Sequence, residues 1–212
     1  MNYIKYPRTF HLPWSEGSTS DDKTLKDVDH FLNVEVVVTE KLDGENSNLY
    51  NNYFHARSLD GRDHVSRHWL KQLQQQIGYQ IPDGWRICGE NLYAQHSISY
   101  DNLPSYFLAF SIWDENNICL NWDDTVDFLN ELNLFHVPIL YRGIWNEEKI
   151  KQCFTGISQC GGIQEGYVIR IVNSFHYDDF EKCVAKFVRK NHVQTDDHWI
   201  HGEITKNKLR KV

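Results

Sequence analysis

No run of about 18 apolar residues occurs in this chain, so the sequence offers no helical membrane span. The opening residues, MNYIKYPRTFHLPW, lack the apolar stretch of a secretory signal, and secretion is not expected. Any CxxC pair is also missing. The five cysteines, Cys88, Cys119, Cys153, Cys160 and Cys183, are odd in number and widely spaced. That usage fits reduced thiols in the cytoplasm better than a disulfide framework or a zinc ribbon. There is no internal repeat and no low-complexity linker, which leaves no repeat architecture to consider.

What is there suits a folded globular protein. Hydrophobic residues make up 41% and aromatics 14% of 212 residues, enough for a substantial core and against disorder over most of the length. The net charge of -7 excludes a generic nucleic-acid coat, but the average hides a gradient. From Lys186 to Val212 there are seven Lys/Arg and three Asp/Glu, a balance of +4, and the remainder carries 15 basic and 26 acidic residues, a balance of -11. A basic segment on an acidic body is either a local footprint for a polyanion or a solvated tail, and charge alone favours the tail.

Strand-like runs rich in Val, Ile, Tyr and Phe cover Asn33–Glu40, Ser47–Ser58, Trp85–Glu90, Tyr106–Trp113, Glu165–Val172 and Cys183–Val188. Helical periodicity falls at Val65–Gln76 and Asp123–Leu132, and Asn146 before Glu147-Glu148 reads as the cap of a third, short helix. WSEGSTSDDK, from Trp14 to Lys23, reads as a polar loop. Strands outnumber helices and do not alternate with them regularly, so the expected class is α+β with mainly antiparallel sheets.

Several strand ends carry charge. Lys41 stands between Glu40 and Leu42-Asp43-Gly44, after a β-branched run, and is either a solvated lysine at a turn or a nucleophile where a strand meets a loop. As a nucleophile it must be neutral, which calls for a pKa lowered by burial or nearby cations. Glu90 ends an apolar strand and Glu165 begins one; isolated carboxylates of that kind suit a divalent cation or a ribose hydroxyl. Lys186 lies inside the apolar run CVAKFVRK, where an unpaired, unused cation is costly.

Taken in order, KLDGEN, HARS, CGEN, FLAFSIWD, EGYVIR and VAKFVRK resemble the six motifs of the covalent nucleotidyltransferases, within them the ATP-dependent RNA ligase family. The resemblance runs from Glu40 to about Lys190, and KYPRTFHLPWS looks like the leader of small members. It implies the nucleotidyltransferase (adenylyltransferase) fold, with residues 1–190 as adenylation domain plus leader and 191–212 as a basic C-terminal tail. It implies ATP as substrate and Mg²⁺ or Mn²⁺ as cofactor. Lys41 would form a lysyl-AMP, transfer AMP to an RNA 5′-phosphate, and leave a 3′-hydroxyl to displace it and seal the strand.

The other roles follow by the same resemblance. Glu40 would belong to the nucleotide-binding set, Asn46 would lie beside the ribose or a metal-bound water, and Arg57 would contact the ribose or the 5′-phosphate end. Glu90 would hold a ribose hydroxyl, and Phe110 would stack on adenine. Glu165 would bind the metal through water, with Asp43 fixing the turn and metal waters. Lys186 would hold the α-phosphate and depress the pKa of Lys41, and Arg170 would add a phosphate contact. Arg189 or Lys190 would be the second cation of the last motif, and with Arg57 would touch nucleic acid. Ser111 stands where the family has aspartate, and an OB-fold of about 70 to 100 residues does not fit after the last motif. An RNA kinase or phosphatase that heals the ends is a candidate partner. The alternatives are a DNA ligase or capping-type enzyme of the same superfamily and a non-catalytic binding module. A zinc site of His192, His198 and His201 fits no standard spacing, so these histidines more plausibly lie on a loop at nucleic acid or triphosphate, or in the core.

Overall fold

Continuous β-branched runs need cover on both faces, and the fold supplies it with two stacked sheets. The computed structural model describes residues 3–59, 63–192 and 204–211. Its strands are β1 (Phe10–His11), β2 (Glu35–Lys41), β3 (Glu45–Leu49), β4 (Phe54–Ala56), β5 (Arg86–Asn91), β6 (Phe107–Trp113), β7 (Ile118–Cys119), β8 (Phe135–His136), β9 (Ile139–Ile144), β10 (Gly166–Ile171), β11 (Phe175–His176) and β12 (Val184–Val188). Its α-helices are α1 (His68–Ile77), α2 (Trp122–Glu131), α3 (Glu147–Lys151) and α4 (Phe180–Cys183). A five-stranded sheet runs β1-β12-β10-β2-β9, and a seven-stranded sheet runs β11-β7-β6-β5-β3-β4 with β8 beside β6. Pairing is antiparallel except at β1–β12 and β6–β8. The expected α+β class with mainly antiparallel sheets is what forms.

Strand β2 shows why the sequence reads VVV there. Val37 packs between the sheets with Leu42, Leu92, Tyr100 and Leu108, while Val36 and Val38 pack outside the first sheet with Leu12, Phe31, Ile150 and Ile169. All three valines are fully buried, each contributing about 1.5–3 kcal/mol by removal from water. Helices α1 and α2 cover the second sheet through Leu70, Ile77, Leu129 and Leu132 against Leu49, Ile87 and Ile112. Asn146 caps α3 as expected, its side chain accepting from the Lys149 amide at 3.0 Å.

Two expectations change. Ser47–Ser58 is not one strand but β3 and β4 joined by a turn, because Asn51-Asn52 favours reversal and the Tyr50 amide donates to the Tyr53 carbonyl at 2.8 Å. Ile139–Ile144 is an additional strand. It lies at a sheet edge, half exposed, with Arg142 bonded to Glu35 and Asp123, so its polar character masks the strand pattern.

The last described segment packs against the 92–103 loop. Asn207 is buried; its side chain accepts from the Tyr100 amide at 2.8 Å and donates to the Leu92 carbonyl at 2.9 Å. Replacing Asn207 with Ala strands both backbone groups. Urea unfolding is expected to show a loss of about 2–3 kcal/mol, and an unchanged midpoint would contradict this role.

Candidate functional site

Successive residues of a strand face opposite ways. In β2, β10 and β12 this sends Thr39 and Lys41, Val168 and Arg170, and Val184 and Lys186 toward one cavity of about 770 Å³ between the sheets. Register aligns them: Lys41 lies opposite Gly166, and Val168 lies opposite both Thr39 and Lys186. Only glycine fits at position 166, since a Cβ there would come within 1.9 Å of the Phe187 carbonyl oxygen. The facing sheet contributes Asn46 from β3, Glu90 from β5 and Phe110 from β6, and Arg57 follows β4 at the exposed rim. The Gly44 turn lies so close to β5 that a Cβ would meet the Asn91 carbonyl oxygen at 2.6 Å. That approach lets the Gly44 amide donate to Glu90 Oε1 at 3.2 Å.

Lys41 Nζ sits 2.6 Å from Glu165 Oε1, and the glutamate side chain is 1% exposed. Burial pushes the Lys41 pKa down, but Glu165, Glu90 and Asp43 together outweigh it, and the net shift is upward. The expectation of a depressed Lys41 is thereby corrected for the ATP-free site: three carboxylates surround it. Lys186 carries the depression instead, pushed down to about 8 by burial and then by Lys41. Burial raises Glu90 to about 8. Asp43 Oδ2 accepts from the amides of Ser97 and Ile98 at 2.8 and 2.9 Å and from the Ser97 hydroxyl at 2.6 Å, which holds the turn in place.

Not every expected residue offers the cavity an exposed polar group. Glu40 lines it but is buried and accepts from the Gln159 amide at 2.9 Å. Arg170 also lines it but is buried, with Nη2 donating to the Leu120 carbonyl at 2.7 Å and Nε to that of Ile171 at 3.2 Å. Arg189 and Lys190 are not among the cavity-lining residues; the Arg189 amide instead donates to the Glu165 carbonyl at 3.0 Å. Half-buried Phe110 meets Tyr6 edge-on at 5.2 Å between centroids.

One comes in without having been singled out. Asp22, from the segment read as a polar loop, lies 3.8 Å from Lys186 Nζ and 3.4 Å from His11 Nε2. Burial, then Lys186, lowers His11 to about 4. The polar run carrying Asp22 gives no period that would mark it. His192 Nε2 lies 3.1 Å from Glu165 Oε1, so this histidine belongs to the cavity, while His198 and His201 lie outside the described residues.

Two facing antiparallel sheets with a strand-end lysine between them define the nucleotidyltransferase fold. Residues 34–188 match the sequence model of the RNA ligase family, and the chain belongs to that family. The RNA ligase of Naegleria gruberi with pyrophosphate is similar at a TM-score of 0.56 and 19% identity, covering 89% of this chain and 61% of its own. The same ligase solved with AMP and Mn aligns at 0.56 and 18%, over 89% and 62%. A protein provisionally assigned as an ATP-dependent DNA ligase from Aquifex aeolicus aligns at 0.57 and 21%, over 88% of this chain and 50% of its own. The chain thus spans about three-fifths of the Naegleria ligase and half of the Aquifex protein. No curated protein sequence matches it.

Glu90 yields a pH prediction. Its folded pKa of about 8 exceeds its ordinary 4.5, so the native state binds the extra proton between those values, and stability falls as pH rises through that window. Glu90→Gln removes the cost of the charged form. Its melting temperature is expected to exceed that of the parent protein above pH 8 and to converge with it near pH 4.5. Parallel melting curves across the range would contradict the assignment.

Proposed function

We propose that this chain is an ATP-dependent RNA ligase that works through a lysyl-AMP on Lys41. The observation that carries the reading is the pair of strand-borne lysines, Lys41 and Lys186, in one cavity with the buried Glu165. Lys41 Nζ first gives up its proton to solvent; the neutral amine then attacks the α-phosphorus of ATP, the N–P bond forming as the P–O bond to pyrophosphate breaks, and pyrophosphate leaves. Negative charge then builds on the phosphate oxygens, and Lys186 is placed to meet it. Phe110 offers adenine a flat apolar face, Glu90 and Asn46 face the ribose, and Arg57 stands at the rim for the 5′-phosphate end. AMP then passes to that phosphate, and a 3′-hydroxyl displaces it. In this reading residues 1–190 form the adenylation domain, 191–212 a basic tail, Arg189 and Lys190 contact RNA outside the cavity, and an end-healing kinase or phosphatase supplies the termini.

Among the described residues Glu165 Oε2 is buried without a hydrogen-bond partner, and Asp43, Glu165 and His192 present ligand atoms close together, a donor set that fits a divalent cation. When bound, such a cation supplies positive charge beside the phosphates and offsets the carboxylates that hold Lys41 protonated. The Naegleria ligase solved with ATP and Mn and with AMP and Mn supports the same pairing of substrate and metal here.

A second reading, DNA ligation, is favoured by the likeness to the Aquifex protein. Both are tested by incubating the protein with Mg²⁺ and ATP labelled at the α-phosphate, then with nicked duplexes carrying RNA or DNA 3′ ends. Label is expected to remain on the denatured parent protein, to be absent from Lys41→Ala, and to form at least about 10²-fold more slowly on Lys186→Ala. RNA 3′ ends are expected to be sealed and DNA 3′ ends not. Labelling by GTP alone would point to capping chemistry, and no label with either nucleotide would leave a binding module.

A further inference from the structure

Beyond β12 the chain reverses at Asn191, whose φ of 60° is the left-handed conformation that asparagine tolerates. The reversal brings the next residue, His192, back over the cavity. Its side chain is 2% exposed, with Nε2 3.1 Å from Glu165 Oε1 and 3.8 Å from Asp43 Oδ1. One ligand atom from each of Asp43, Glu165 and His192 lies within 4.8 Å of the others. Ligands about 2.0–2.2 Å from a shared ion lie at most about 4.4 Å apart, and the 3.1 and 3.8 Å separations of His192 Nε2 from the two carboxylates meet that limit.

Two further features point to an ion rather than to a simple histidine–glutamate pair. Glu165 Oε2 is buried with no hydrogen-bond partner among the described residues. Asp43 is pre-oriented, because its Oδ2 is taken by the Ser97 and Ile98 amides and the Ser97 hydroxyl, leaving Oδ1 turned toward His192. Outer partners of that kind fix ligating carboxylates in place.

We propose that His192 is a direct ligand of the divalent cation, forming with Asp43 and Glu165 a set of one nitrogen and two oxygens that favours Mn²⁺ over Mg²⁺. Imidazole suits transition ions, whereas Mg²⁺ prefers an all-oxygen, largely hydrated shell. The proposal rests on the reading of this cavity as the adenylation site, but its test needs no turnover.

The experiment is pulsed electron paramagnetic resonance of Mn²⁺ added to the ATP-free full chain, unlabelled and with ¹⁵N-histidine, together with Mn²⁺ titration and Mg²⁺ competition. A ¹⁴N imidazole modulation is expected that converts to ¹⁵N on histidine labelling and vanishes in His192→Gln. Mn²⁺ binding should weaken at least about tenfold in that variant, with Mg²⁺ affinity changing less. Circular dichroism of the variant checks its fold, and the labelled parent protein reports histidine ligation even if the variant fails to fold. Absence of histidine coupling in the parent protein, or coupling that survives in folded His192→Gln, overturns the proposal. Lys41 labelling without histidine coupling defeats this inference alone, and histidine coupling without Lys41 labelling defeats the ligase reading alone.

Discussion

The contact between the Lys41 ammonium and the buried Glu165 carboxylate organises this structure. Taking either charge out of water alone is costly, so each depends on the other. Satisfying both fixes where β2 must end and where β10 must begin, and the strand register holds them there, with Gly166 directly opposite Lys41. The absent Cβ of Gly166 lets β12 lie close against β10, which brings Lys186 into the same cavity. Two lysines in a confined space repel, and the stress falls on Lys186, whose nearest carboxylate among the described residues is the less buried Asp22 at 3.8 Å. The result is a cavity whose two main cations differ in character. Lys41 is held charged by carboxylates, and Lys186, lowered to about 8 by burial and then by Lys41, loses its proton more readily than an ordinary lysine.

The turn after Lys41 ties this centre to a distant part of the chain. The Asp43 amide donates to the Tyr100 hydroxyl at 2.8 Å, and the Asp43 carboxylate is gripped by Ser97 and Ile98. The same loop is held from its far side by Asn207 at the Tyr100 amide and by the Lys208 amide bonded to the Tyr100 carbonyl at 2.9 Å. Residues late in the chain thus brace the turn that carries the candidate nucleophile. The basic character of this segment accompanies a packed role: Lys206 lies over the Tyr93 ring at 4.9 Å and Arg210 over Phe135 at 5.4 Å.

Much of the fold and site was legible in the sequence, for identifiable reasons. β2, β5, β6, β10 and β12 are long and covered on both faces, so their apolar runs stand out, and the charged residues that interrupt or end them are conspicuous. Lys41, Glu90, Glu165 and Lys186 were found that way, Phe110 through the resemblance of its motif, and all line the cavity. What escaped is short or polar. β1, β7, β8 and β11 have two residues each, too few for any period, and β9 carries an edge-strand pattern. Asp22 reaches the cavity from an irregular segment, where no period predicts the facing of a side chain, and for His192, which was singled out, the same irregularity left a loop and a core placement equally open. Lys41's charge state was also hidden, since it depends on carboxylates 49 and 124 positions further along, Glu90 and Glu165.

The central claim is that Lys41, and no other residue, accepts the adenylate. The most direct measurement is peptide mapping by mass spectrometry of the protein after incubation with ATP and a divalent cation. The account predicts an AMP adduct on the peptide containing Lys41, with fragmentation placing it on that side chain. An adduct on Lys186 or elsewhere, or a folded, metal-supplied protein with none, would contradict it.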